Sequence, residues 1–182
     1  MILEIVRYPS AVLKRVAKPV EKIDAEIQKL IDDMYETMYD APGVGLAAPQ
    51  VGISKRILVI DVGQLEGETR KPDPRAIINP TVSTREGKIL WEEGCLSLPH
   101  LIVPMERTKK IVVEGLNRDG KNVTCLGEDL LAVAFQHEID HLDGKLIFDN
   151  LSNLKKDLYL KKLKKMAEGG DVEKGSGPVY MG

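Results

Sequence analysis

Two of the three histidines in this 182-residue chain stand four positions apart with acids between them, in the run His137-Glu138-Ile139-Asp140-His141. On an α-helix, residues i and i+4 share a face, about one turn or ~6 Å apart along the axis, so two imidazoles at this spacing can hold one metal ion. The glutamate beside the first histidine projects near the same ion without having to ligate it, which is where a general base stands beside metal-activated water. With 3 His and 28 acidic residues, the chance expectation for this pattern is on the order of one in a hundred. Leu130, Leu131, Val133, Ala134, Phe135, Ile139 and Leu142 make the run from Asp129 to Leu142 read as a buried helix. Two imidazoles and a carboxylate are costly to bury there unless something binds them.

A hydrolytic metal site needs a third protein ligand and an open fourth position. The downstream segment, Leu142-Asp143-Gly144-Lys145-Leu146-Ile147-Phe148-Asp149, holds no histidine and lacks the metzincin extension. Upstream, Glu92-Glu93-Gly94-Cys95-Leu96-Ser97-Leu98-Pro99 offers the Cys95 thiolate. Cys125 and His100 are weaker candidates, because a lone cysteine on a strand is more often core filler and His100 reads as a surface residue.

The elements that must position these groups follow from periodicity. Ser10 is placed to cap a short helix over Ala11–Ala17. A stronger helix runs from Asp24 to Tyr39, with Ile27, Leu30, Ile31, Met34 and Met38 on one face, and stops at Ala41-Pro42-Gly43. β-rich runs follow at Arg56–Asp61, Ala76–Val82, Lys88–Glu92 and Lys110–Gly115, and Asp119-Gly120 forms a hairpin-type turn into Asn122–Leu126. The predicted fold class is α+β: mostly antiparallel strands packed around a central metal-binding helix, with N-terminal helices and a C-terminal helix. Residues 1–168 are expected to form one catalytic domain and 169–182 a flexible tail.

Composition supports an ordinary globular protein: 30% charged residues, 43% hydrophobic, and a net charge of -2 that gives no sign of a dedicated nucleic-acid binder, although charge is unevenly placed near the C-terminus. No apolar run approaches the roughly 20 residues of a membrane span. The opening MILEIVRYPS has no basic-then-apolar signal pattern, so a cytoplasmic protein is expected, with both cysteines as free thiols.

Three segments together resemble the motifs of the peptide deformylases, in the family's order and spacing: Gly43-Val44-Gly45-Leu46-Ala47-Ala48-Pro49-Gln50, Glu93-Gly94-Cys95-Leu96-Ser97-Leu98-Pro99 and Gln136-His137-Glu138-Ile139-Asp140-His141-Leu142-Asp143-Gly144. The likeness extends from about Arg7 to the C-terminal helix. It implies a hydrolase that removes the formyl group from the N-terminal formyl-methionine of new polypeptides. Cys95, His137 and His141 would hold one divalent ion, usually Fe(II) in that family, with Zn(II), Ni(II) or Co(II) able to occupy the site. Glu138 would be the general acid/base, and the Gln50 amide and the Leu96 backbone N–H would meet the charge that develops on the formyl oxygen. On its own, Gln50 reads equally as a loop hydrogen-bonder, and Gly43 and Gly45 as residues closing a helix.

Substrate binding is expected at Val44, Gly45, Glu93 and Gly94, with backbone groups of Val44 and Gly94 pairing to an extended peptide as to an added strand. Leu130, Val133 and Ala134 share the helical face of His137 and, with Trp91 and Val44, are candidates for the methionine pocket. Each is also an ordinary core residue. Many family members carry a basic residue where Met105 stands, paired with the motif glutamate; Arg107 is the candidate substitute, and the partner of Glu93 is left open. The expected helix Leu151–Ala167 carries six lysines (Lys155, Lys156, Lys161, Lys162, Lys164, Lys165) against Asp157, with Leu154, Leu158 and Leu160 or Leu163 as an apolar side. That is either a solvated face or a docking surface for the ribosome through lysine–phosphate contacts. The rival enzyme reading is a zinc metalloendopeptidase of the HExxH type, separated from the first by the origin of the third ligand; the rival outside catalysis is a binding protein that keeps only a structural metal.

Overall fold

The computed structural model describes residues 1–169. In chain order the elements are α1 (Ala25–Asp40), β1 (Gly45–Ala47), β2 (Ile57–Ile60), β3 (Gln64–Glu66), β4 (Thr69–Lys71), β5 (Arg75–Cys95), β6 (Leu98–Leu116), β7 (Asn122–Glu128), α2 (Leu130–Leu142) and α3 (Asn153–Gly169). Single 3-10 turns occupy Ala11–Lys14, Ala48–Val51 and Ile147–Asn150. Five strands form one sheet in the order β1-β2-β5-β6-β7, every neighbour antiparallel, and β3-β4 is a separate hairpin. The fold is α+β, with helices on both faces of an antiparallel sheet.

Strand β2 shows why. Its residues are buried on both sides: Leu58 and Ile60 face the cluster that includes Val133, Ala134 and Phe135 of α2, whereas Ile57 and Val59 face Ile27, Ile31, Met34 and Met38 of α1. Alternation thus disappears from the sequence, since both pleat faces are apolar. The third core cluster joins the turn end of the β5-β6 hairpin (Cys95, Leu98, Leu101, Val103, Met105) to Leu146, Ile147 and Phe148 and to Tyr159 of α3.

α1 begins where its cap dictates, the Asp24 carboxylate accepting the Ile27 N–H at 3.1 Å. The helix expected over Ala11–Ala17 is only a 3-10 turn, and Ser10 makes no side-chain cap bond. Beyond Lys14 the chain runs extended and is tied to other elements instead: the Ala17 N–H donates to the Leu142 carbonyl at 2.8 Å, and Lys18 forms a bridge to Lys55. The separate strands Ala76–Val82 and Lys88–Glu92 are one strand, β5, which passes through Ser83–Gly87 and into the Cys95 motif. That middle stretch is exposed on both faces, so it carries no alternation to read, yet it pairs continuously with β6 apart from register shifts. The expected Lys110–Gly115 is likewise the last third of β6. The C-terminal helix lies two residues later than expected, at Asn153–Gly169, and the rest of the expected tail, 170–182, is outside the described residues.

α2 is fixed at both ends. Its N-cap, Asp129, has φ 52° and ψ -120°, a strained backbone for a residue with a side chain, and makes no side-chain cap bond. At its C-terminal end Gly144 has φ +70°, and a Cβ there would come 2.7 Å from the Lys14 carbonyl oxygen, so the N-terminal segment presses directly against the helix end. The Leu142 carbonyl is also bonded by the Arg56 Nη1 at 3.1 Å. Among the described residues no helix is long and apolar enough to cross a membrane.

Candidate metal centre

Three elements converge. The tight turn Leu96-Ser97 at the end of the β5-β6 hairpin presents Cys95, the C-terminal half of α2 presents His137, Glu138 and His141, and the 3-10 turn after β1 presents Gln50. Sγ of Cys95 and one ring nitrogen each of His137 and His141 lie within 4.8 Å of one another, all buried. The two Nε2 atoms are 3.2 Å apart, and Cys95 Sγ is 3.4 Å from His141 Nε2. Donors held tetrahedrally at ~2.0–2.3 Å from an ion stand roughly 3.3–3.7 Å apart, so one thiolate and two imidazoles at these separations fit a single divalent cation. The third donor is upstream, from a hairpin turn. Cys125 lies half-buried on β7, and His100 is exposed at φ 60°.

A chain of charged groups orients the first imidazole. Glu93 Oε1 is 2.8 Å from His137 Nδ1. Arg107 donates to both Glu93 oxygens, Nε to Oε2 at 2.7 Å and Nη2 to Oε1 at 2.8 Å, and its Nη1 donates to Asp140 Oδ2 at 2.6 Å. Burial alone would raise the Glu93 carboxyl; the hydrogen bonds from Arg107 and His137 outweigh it and hold the group below the usual carboxylate range. Burial opposes the charge on Arg107 too, and Glu93 and Asp140 overcome it. An ionised carboxylate only accepts, so Nδ1 of His137 carries the proton and Nε2 keeps its lone pair toward Cys95 and His141. With no ion bound, burial opposes charge on His137 while Cys95, Glu93 and Glu138 outweigh it and raise its pKa; the same negative surroundings favour a cation in place of that proton at Nε2. The partner of Glu93 is therefore Arg107, two residues past Met105.

Gln50 is wholly enclosed. Its Oε1 accepts the Ala47 N–H at 2.9 Å, which turns Nε2 toward Ser97 Oγ at 3.3 Å and Cys95 Sγ at 3.8 Å. Leu96, half-buried, occupies the hairpin turn between Cys95 and Ser97. Glu138 is also fully enclosed, and Gly45 is the reason it fits: a Cβ on Gly45 would lie 2.6 Å from Glu138 Oε1 and 3.0 Å from its Cδ and Cγ. Gly45 thus makes room for the Glu138 carboxylate.

The remaining expected residues divide. Val44, Trp91 and Leu130 are partly exposed and pack on the cluster containing Val133, Ala134 and Phe135, so they line its accessible edge. Val133 and Ala134 are fully covered and stand behind them. The Val44 carbonyl already accepts the Asp61 N–H at 2.8 Å. Gly94 pairs with Ile102 on one side, while β2 covers the other edge of β5 only over Arg75–Ile78. Sequence reasoning missed Ser97 and Asp140. The latter sits three residues after His137 on the same helical face, a spacing that could have revealed it.

Comparison with known proteins agrees with this geometry. Residues 2–157 match the family model for polypeptide deformylase. The chain is 49% identical over 167 residues to a peptide deformylase of Hydrogenovibrio crunogenus, covering 91% of this chain and 96% of that protein. Its fold is similar to crystal structures of peptide deformylases from Legionella pneumophila (TM-score 0.83, 43% identity, 94% of this chain and 100% of that one) and Ehrlichia chaffeensis (TM-score 0.86, 39% identity, 92% and 98%). A buried Cys/His/His donor set on this fold, matched along nearly the whole chain, is that of a hydrolase, and the chain belongs to the polypeptide deformylase family.

Proposed function

We propose that this enzyme hydrolyses the formyl group from the N-terminal formyl-methionine of newly made polypeptides, at a metal centre held by Cys95, His137 and His141. The observation that carries the reading is the convergence of those three donors within 4.8 Å beside the buried Glu138 and Gln50. Fe(II) is the ion proposed, and Zn(II), Ni(II) and Co(II) suit the same thiolate–imidazole set. When bound, such an ion supplies Lewis acidity that makes water a nucleophile near neutral pH.

The chain's own groups do the rest. Glu138 takes the proton released as water oxygen bonds to the formyl carbon, and returns it to the amine nitrogen as the C–N bond breaks, leaving formate and a free methionyl amine. Gln50 Nε2 and the Leu96 N–H donate to the formyl oxygen as its charge grows. Val44, Gly45 and Gly94 hold the peptide backbone, Glu93 orients His137, and Trp91, Leu130, Val133 and Ala134 form the apolar surroundings of the methionine side chain. An endopeptidase reading is not supported, because the third donor is the hairpin cysteine.

Residues 1–168 act as one catalytic domain in the cytoplasm. Five of the six lysines on α3 are exposed, the sixth (Lys156) lies over the Phe148 ring, and Tyr159 anchors the helix through its OH to the Pro99 carbonyl at 2.9 Å. That leaves the lysines turned outward for ribosomal phosphates, and removing residues after Leu151 should weaken ribosome association at low salt. For the chemistry, formate release from formyl-Met-Ala should fall by about 10²–10⁴-fold in Glu138→Gln. Equal release by the variant and wild type would overturn the assignment.

A further inference from the structure

Among the groups around the metal centre, the Ser97 hydroxyl has no part in the chemistry derived so far, although Ser97 is fully buried. Its Oγ lies 3.3 Å from Gln50 Nε2. The polarity of that contact is set from elsewhere. The Ala47 backbone N–H can only donate, so the atom it touches at 2.9 Å must be the Gln50 carbonyl oxygen, and the amide nitrogen must face Ser97 and Cys95. One amide hydrogen then goes to Ser97 and the other stays on the metal side.

An independent feature ties the same two residues together. The Val6 N–H donates to the Gln50 carbonyl at 2.7 Å, and the Tyr8 N–H donates to the Ser97 carbonyl at 3.0 Å. Val6 and Tyr8 are two residues apart, so one short stretch of backbone stitches the Gln50 turn to the Ser97 turn. The two turns are 47 residues apart in sequence. Side-chain and main-chain bonds therefore act in parallel to fix Gln50 relative to the Cys95 hairpin.

We propose that Ser97 is a positioning residue for the formyl-transfer step to water: it holds the Gln50 amide so that its second N–H faces the formyl oxygen. The inference rests on the donor role proposed above for Gln50. Loss of a donor of that kind costs about 10²–10³ in kcat, and loss of its lateral anchor should cost a fraction of that.

The test is a double-mutant cycle on metal-loaded, full-length protein, following formate release from formyl-Met-Ala together with bound metal per chain. Ser97→Ala should lower kcat about tenfold with KM and metal content unchanged. Gln50→Ala should lose more, and adding Ser97→Ala to Gln50→Ala should cost nothing further, because the anchor then has nothing to hold. If Gln50→Ala is damaging but Ser97→Ala is neutral, or the two losses multiply, the positioning role is wrong while the donor role stands. If Ser97→Ala releases the metal, Ser97 shapes the Cys95 turn instead, and the proposal falls. A Gln50→Ala variant with wild-type kcat would sink the donor role and this inference together.

Discussion

Replacing Arg107 with methionine probes how the centre is held. The side chain is 8% exposed and makes three charge-assisted hydrogen bonds, two to a fully buried carboxylate and one to Asp140. Methionine fills similar volume without charge, so Glu93 stays buried with its main counter-charge gone. Removing one partner of a buried ion pair costs about 3–5 kcal/mol. For a chain of this size that corresponds to a fall in Tm of roughly 6–20 °C. Burial then drives the Glu93 carboxyl upward, it takes a proton, and its hold on the His137 Nδ1–H weakens. Loss of a hydrogen-bond partner behind a metal-ligating histidine typically costs 10–100-fold in metal affinity. Competition against a chromogenic chelator, with Co(II) as the probe, measures that term; thermal unfolding measures the other. Arg107→Lys, which keeps the charge but loses the fork, should fall between. If Arg107→Met keeps its metal affinity within about threefold of wild type, the relay from Arg107 through Glu93 to His137 does not orient the ligand.

Three further outcomes are expected. Gly45→Ala puts a methyl group 2.6 Å from Glu138 Oε1, so formate release should drop about a hundredfold while bound metal is retained. Asp129→Gly relieves a backbone at φ 52°, ψ -120° and sacrifices no cap bond. Strain of about 1–3 kcal/mol, less the entropy of a glycine, leaves roughly 1 kcal/mol of stabilisation and a Tm rise of about 2–4 °C. Tyr39 is 54% exposed, and partial burial of its phenol together with the hydrogen bond it donates to Asp61 at 2.6 Å holds it above its usual range. A raised folded-state value gives stability that is complete below the unfolded pKa of about 10 and is lost as pH climbs toward the folded value. Alkaline denaturation should therefore be steeper in wild type than in Tyr39→Phe, measured by urea unfolding at rising pH.

The metal-binding helix was readable from sequence because both its chemistry and its apolar face obey one period: His137 and His141 share a side, and Val133, Ala134 and Phe135 complete the buried surface. α1 was readable for the same reason, with Asp24 marking its start. The continuity of β5 was not: its two ends read as separate strands, because the exposed middle has neither alternation nor an apolar run and only pairing with β6 makes it a strand. The two histidines followed from helical spacing and Cys95 was a candidate that the resemblance to the deformylase motifs singled out, whereas most of the contacts that tune the trio did not follow from either. Arg107 could be named only as a candidate for Glu93, which it reaches across a hairpin; Gly45 faces Glu138 from another element, and Ser97 meets Gln50 across 47 positions. Each depends on three-dimensional proximity that local pattern does not encode, and Gly45 in particular has the residue type of a loop breaker and the duty of a spacer.

The most direct test is X-ray absorption at the metal edge of protein purified without oxygen, on a sample that releases formate from formyl-Met-Ala. One ion per chain is expected, bound by one sulfur at about 2.3 Å and two imidazole nitrogens at about 2.0–2.1 Å, with the sulfur lost in Cys95→Ser. An active enzyme whose ion is surrounded only by nitrogen and oxygen would contradict that ligand set.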